Sequence, residues 1–134
     1  MSRPVPHPDL VTAPYWQRVD EGVFALPRCE ACGRYHFFPR GNCPHCGSPR
    51  IAWSPASGRG EVYSFSAVHR APGPAFKDEV PYVLAIVATA EGPHLLTRIT
   101  GVAPAEMRVG IKVRVKIEKS AEGTALPVFE PEAP

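Results

Sequence analysis

The sequence has no apolar run long enough to cross a bilayer. Its longest nearly uncharged stretch, VPYVLAIVATA at positions 80–90, is about half of what a spanning helix needs. The opening residues MSRPVPHPD lack the apolar core of a secretory signal, so a cytoplasmic protein is expected. Low-complexity tracts are missing, as are a GxSxG nucleophile elbow, a phosphate-binding loop of Walker or dinucleotide type, and a paired acid and base at a telling spacing. A chain without these is not expected to be an enzyme on its own. His69 and His94 are the candidates for a general base, but each sits in or beside a strand-like stretch with no evident orienting partner, which favours a structural reading.

Net charge is also small, +2 over 134 residues with 21% charged and 44% hydrophobic, the balance of a globular protein with one modest core. That small sum hides an uneven distribution. Residues 28–77 hold Arg28, Arg34, Arg40, Arg50, Arg59, Arg70 and Lys77 against Glu30 and Glu61, an excess of five positive charges, and the flanks are net acidic. Such a patch either attracts a phosphate-bearing ligand or is a solvated face. Proline is abundant: seventeen residues, about twice the usual share, punctuating short elements.

Cysteine is scarce but concentrated. All four fall within CEACGRYHFFPRGNCPHCG, positions 29–47, as two CxxCG units separated by ten residues. In a reducing compartment paired CxxC units indicate a metal site rather than disulfides. Two sulfurs two residues apart can reach one ion while the intervening amides donate to the thiolates, and glycine after each second cysteine (Gly33, Gly47) permits a turn through positive φ. Four thiolates with no open position predict structural zinc on Cys29, Cys32, Cys43 and Cys46, with iron in the same geometry as the competitor. His36 and His45 read as exposed loop residues. RYHFFPRGN, between the units, reads as a short hairpin arm of a zinc ribbon, a piece small enough to draw its folding energy from the metal.

Upstream, TAPYWQRVDEG predicts a short helix with Thr12 as N-cap, Pro14 in the first turn and Gly22 as the stop. Downstream, WSPASGRGE is rich in turn residues and marks a module boundary near 53–60. Five strands follow, at 61–70, 81–90, 93–101, 111–119 and 124–131. The second is apolar on both faces and therefore expected to be central, and IKVRVKIEK has strict period two. VAPAEMRVG, between the third and fourth, predicts one helical turn. The expected fold is thus mainly β: residues 1–24 a tail and short helix, 25–54 a rubredoxin-like zinc ribbon, and 55–134 a five-stranded OB-fold barrel, with an SH3-like barrel or small sandwich as competitors.

The order helix, four-cysteine ribbon and barrel, with FPRGNCPHCGS, SGRGEVYSFSAVHR, PYVLAIVATAEGP and VGIKVRVKIE followed by LPVFEP, resembles the zinc-ribbon OB-fold proteins once filed as a domain of unknown function. The resemblance runs from about Tyr15 to Pro131. It implies a non-catalytic accessory subunit of an acyl-CoA-processing complex, beside a thiolase-like enzyme (thiolase, acyltransferase or aldolase) or a hydratase. The partner would carry the chemistry, and the small chain would bridge subunits or help hold the CoA thioester.

On that reading the segment HRAPGPAFKDEVPY, which joins the first two strands where OB barrels often place a binding loop, is the candidate contact. Arg70 and Lys77 would meet phosphates and Phe76 would fill an apolar pocket; a solvated loop is the plain alternative. A single-stranded nucleic-acid-binding protein is the competing function, since cations interleave with Tyr35, Phe37, Phe38, Tyr63 and Phe65, although the total charge is low for that class. A CoA-binding enzyme in its own right is the third.

Overall fold

Helix α1 (Ala13–Asp20) forms where Pro14 presets the first turn and Tyr15 and Val19, four residues apart, share a buried face. Thr12 stands at the N-cap, but its side chain makes no cap bond. Asp9 ties down the helix entry instead: its carboxylate accepts from the N–H of Val11 (2.9 Å) and of Thr12 (2.8 Å), and the Thr12 hydroxyl accepts from the Asp9 N–H. Gly22 ends the helix at φ +80°, donating its N–H to Val19 while Val23 donates to Arg18. The chain is described here from a computed structural model covering residues 3–132.

The cysteine segment is framed by a strand pair the sequence reading lacked. Strands β1 (Ala25–Cys29) and β2 (Ile51–Pro55) run antiparallel, Ala25 opposite Pro55 and Cys29 opposite Ile51. The expected hairpin arm over RYHFFPRGN is absent: that segment makes a single bridge, Arg28 to Tyr35, and His36 donates its N–H to the Pro27 carbonyl. It lies along β1 rather than folding on itself, because Phe37 is drawn to Tyr15 of α1, ring centroids 5.4 Å apart. Trp53, at the start of the turn-rich stretch expected to mark the module boundary, belongs to β2.

Five strands then close a barrel: β3 (Arg59–Val68), β4 (Tyr82–Thr89), β5 (His94–Ile99), β6 (Lys112–Lys119) and β7 (Ala125–Pro131). Their order is β3-β4-β5-β7-β6, closing on β3, with only β5 and β7 parallel. This is the OB-fold, and closure removes the free edges that short strands would otherwise expose. Gly60 allows β3 to approach β4: a Cβ there would lie 2.6 Å from the Val87 side chain and 2.7 Å from the Ala88 carbonyl. Strand β3 ends at Val68, leaving His69 and Arg70 outside the sheet. The expected helical turn is present as a 3₁₀ turn at Pro104–Glu106, which delivers Met107 to the core. Another, at Pro74–Phe76, lies in the β3–β4 connection.

Strand β4 lies between β3 and β5, central as expected, but only one of its two apolar faces is fully buried. Val83, Ala85, Val87 and Thr89 are buried, while Tyr82, Leu84, Ile86 and Ala88 are only half-buried. Register carries the same division into β5: Val83 faces Ile99 and Val87 faces Leu95 inside the barrel, whereas Leu84 faces Arg98 and Ile86 faces Leu96 on the outer surface. The ribbon joins the barrel through Phe24, whose ring meets Phe129 of β7 edge-on at 6.0 Å. Among the described residues no helix is long and apolar enough to cross a membrane.

Candidate metal centre and apolar groove

The two CxxCG units fold as near copies. In the first, Cys29 donates its N–H to Arg34 and Gly33 donates to Cys29; in the second, Cys43 donates to Ser48 and Gly47 donates to Cys43, all at 2.8–2.9 Å. Both glycines adopt positive φ, +77° and +81°, which a side chain would resist. Backbone N–H groups turn toward sulfur as expected, Cys32 to Cys29 at 3.4 Å and His45 to Cys43 at 3.3 Å.

These turns bring the four sulfurs within 4.8 Å of one another, with Cys29–Cys46 at 3.6 Å and Cys32–Cys43 at 3.7 Å. A tetrahedron with metal–sulfur bonds of about 2.3 Å has edges of about 3.8 Å, so the donor set fits one four-coordinate ion and leaves no position for substrate. Electrostatics favours a cation there too. The Cys32 N–H, outweighing burial, holds the Cys29 thiol down to about 6. Cys46, although the Ser48 N–H favours its thiolate, is pushed up to about 11 by crowding against Cys29, Cys43 and Cys32. Four thiolates at this spacing repel, and a divalent ion removes the conflict.

His36 is not the exposed loop residue expected. It is only 4% exposed, and burial, then the charges of His45 and Arg40, holds its imidazole below the usual histidine range. His45 is exposed, with Nε2 3.3 Å from the Tyr35 carbonyl oxygen.

The second feature is a groove of about 540 Å³ where helix, ribbon and barrel meet. Trp16 of α1, Phe37 and Phe38 of the ribbon, Leu84 and Leu96 of the barrel's outer face, and Pro127 of β7 line it. Phe38 is 66% exposed and Leu96 68%, so its rim is apolar and open. One end is polar. Glu79 accepts from Arg3 and, at 2.6 Å, from Arg98; Arg98 lies 4.6 Å over the Tyr82 ring and Arg3 5.8 Å over Phe76. The bond from Arg3, ahead of that from Arg98 and against some desolvation, holds the Glu79 carboxyl below its usual range. The buried Arg98 Nε has no acceptor.

Of the loop residues singled out, Phe76 lines this groove and packs at a tilt against Tyr82, centroids 6.2 Å apart. Arg70 and Lys77 are exposed and do not line it. Of the groove's other residues, Leu84, Leu96 and Arg98 were not singled out, because an all-apolar β4 reads as core and its outer face passes to β5 only through register. His69 is exposed, and His94 packs against Tyr63 at 4.7 Å; neither has an orienting carboxylate among the described residues. The aromatics that interleave with cations in sequence do not form one track: Tyr35 sits under Arg28 at 5.5 Å, Phe37 contacts Phe38 and Tyr15, and Tyr63 packs against His94.

Comparison with known proteins agrees with this architecture. Residues 16–52 match the rubredoxin-like zinc ribbon domain of ChsH2 and residues 53–118 match its C-terminal OB-fold domain. A DUF35 domain-containing scaffold protein of Pyrococcus furiosus is 36% identical over 81% of this chain and 79% of its own. A probable enoyl-CoA hydratase alpha subunit of Thermomonospora curvata is 36% identical over 98% of this chain, which spans only 41% of that relative's length. Among solved structures, a chain of the Ltp2-ChsH2(DUF35) aldolase superposes with a TM-score of 0.85 at 34% identity, covering 94% of this chain and 98% of the other. With its paired cysteine knuckles, closed barrel and these likenesses over nearly its whole length, the chain belongs to the DUF35 family, built as a ChsH2-type zinc ribbon followed by an OB-fold.

Proposed function

We propose that the chain is a non-catalytic accessory subunit of an acyl-CoA-processing complex, whose partner is a thiolase-like, aldolase or hydratase chain that carries the reaction. The observation that carries this reading is the outer face of β4 and β5. OB barrels use this face to bind, and here it presents Leu84, Ile86 and Leu96 beside Phe38 and Trp16 rather than a basic aromatic track. An open apolar surface of this kind on a small chain suits protein contact. Arg98, half-buried and bonded to Glu79, makes one end of this surface polar.

Cys29, Cys32, Cys43 and Cys46 hold structural zinc in this proposal. Bound there, zinc would fold the lobe and leave no open position for catalysis. The names of relatives support the partner class: one is a hydratase alpha subunit, another a scaffold protein, and the superposed chain belongs to an aldolase. Arg70, Phe76 and Lys77 mark the β3–β4 loop as a second contact toward the partner or the CoA thioester, with Phe76 already seated in the groove.

Tagged protein recovered from its native source tests the proposal. It should bring down a thiolase-like, aldolase or hydratase chain, contain one zinc per chain, and leave acyl-CoA substrates unchanged until the partner is added. Turnover by the purified chain alone, or recovery as a partnerless monomer that binds single-stranded nucleic acid with steep salt dependence, refutes it.

A further inference from the structure

A cleft of about 560 Å³ separates the ribbon from the β4–β5 turn of the barrel; it borders the second cysteine knuckle through Pro44 and His45 and shares Phe37 with the apolar groove. Arg34, His36, Arg40 and His45 line it from the ribbon, and Glu91 lines it from the turn. His36 is the unusual member. Only 4% of it is exposed, and neither ring nitrogen has a hydrogen-bond partner. An imidazole always carries at least one N–H, and burying that donor unpaired is costly, about 1–3 kcal/mol. At the rim Arg34 and Arg40 are exposed, and neither is paired with a carboxylate among the described residues. The ribbon therefore gathers a buried donor and two free guanidinium groups around one opening.

We propose that this cleft is a binding subsite for a compact oxyanion, a phosphate or carboxylate group, with the His36 N–H at its floor and Arg34 and Arg40 at its rim. An oxyanion has the lone pairs that the imidazole N–H lacks, and guanidinium forks suit either group. Glu91 is the opposing charge. Its Oε2 accepts from the Ser57 N–H at 2.9 Å and its Oε1 has no donor, so it faces the cleft as a carboxylate that weakens anion binding without abolishing the positive excess. The site is independent of the partner assigned above and would stand if that assignment fell.

The test uses the full chain loaded with zinc and labelled at histidine, titrated at neutral pH with inorganic phosphate and separately with acetate, ionic strength being held constant with chloride. The His36 ring signals should move saturably with at least one anion: phosphate alone identifies a phosphate-bearing ligand, and acetate identifies a carboxylate. Arg40→Gln should weaken binding about tenfold. Glu91→Gln, which keeps an oxygen to accept from Ser57, should tighten it. Zinc content and melting temperature should be unchanged in Arg34→Gln and Arg40→Gln, whose side chains are exposed. If the His36 signals follow chloride as closely as phosphate and acetate, or shift equally in the Arg34→Gln/Arg40→Gln double variant, the imidazole is satisfied by water and the subsite does not exist.

Discussion

Leu95 and Leu96 are consecutive residues of β5 on opposite sides of the barrel wall, 6% and 68% exposed, and substituting each in turn separates fold from recognition. Leu95 packs inside, opposite Val87, so Leu95→Ala removes buried methyl groups and leaves a void, costing about 2–5 kcal/mol. For a chain of this length each kcal/mol lowers the melting temperature by roughly 3–5 °C. Leu96 lies opposite Ile86 on the outer face, and Leu96→Glu should change the free chain's stability by less than about 0.5 kcal/mol. Against a partner the order reverses. Covering the exposed two thirds of Leu96 contributes about 1–2 kcal/mol, and a glutamate trapped there without a counter-charge adds several more, so affinity should fall at least about a hundredfold. Melting of the free chain, with calorimetric titration of the copurified partner, measures both quantities. A Leu96→Glu chain that binds its partner as tightly as the parent, or melts as low as Leu95→Ala, refutes the assignment of this face.

Removing zinc with a strong chelator, or substituting Cys29→Ser, should drop the metal content from one per chain toward zero and unfold residues 25–55 while the barrel's β signature persists; proteolysis confined to the ribbon checks this. Glu79→Gln should cost about 1 kcal/mol through loss of the bonds from Arg3 and Arg98. Because the folded-state pKa of Glu79 is depressed, its contribution is present above the unfolded carboxylate range and lost as pH falls through the folded value; acid melting curves of the parent and variant should therefore converge at the acid end. Tyr15→Ala should cost about 3–5 kcal/mol and weaken partner binding while leaving one zinc per chain, since Tyr15 packs against Phe24, Phe37 and Trp53 but bonds to no sulfur.

What could be read before the structure was whatever is specified locally. Each CxxCG unit closes its own turn through hydrogen bonds spanning at most five residues, so spacing and the glycine suffice. IKVRVKIEK alternates because β6 has one wet and one dry face. Nonlocal choices were hidden. β1 and β2 pair across the whole cysteine segment, and nothing in ALPRC announces a partner 22 or more residues away. YVLAIVAT is apolar on both faces, which periodicity alone assigns to a central, covered strand; its second face is apolar because it lines a groove. His36 resembles any loop histidine until Pro27 accepts its N–H and β1 draws it in.

In the proposed role the groove would tie the metal centre to recognition, although none of its lining residues is a cysteine of the cluster. One wall is Phe37 and Phe38, which lie between the two cysteine pairs in sequence, and the opposite wall is Leu84 and Leu96 of the barrel. The segment carrying the first wall has a single β-bridge and no strand of its own, so its position is fixed by the sulfur cluster at either end and by Tyr15 in the middle. Tyr15 in turn contacts Phe24, and Phe24 contacts Phe129 inside the barrel. A continuous run of ring contacts therefore sets the distance between the walls. A metal bound there would shape the proposed partner surface by holding the ends of that segment rather than by touching what binds, and losing it would open the groove before it disturbed the barrel.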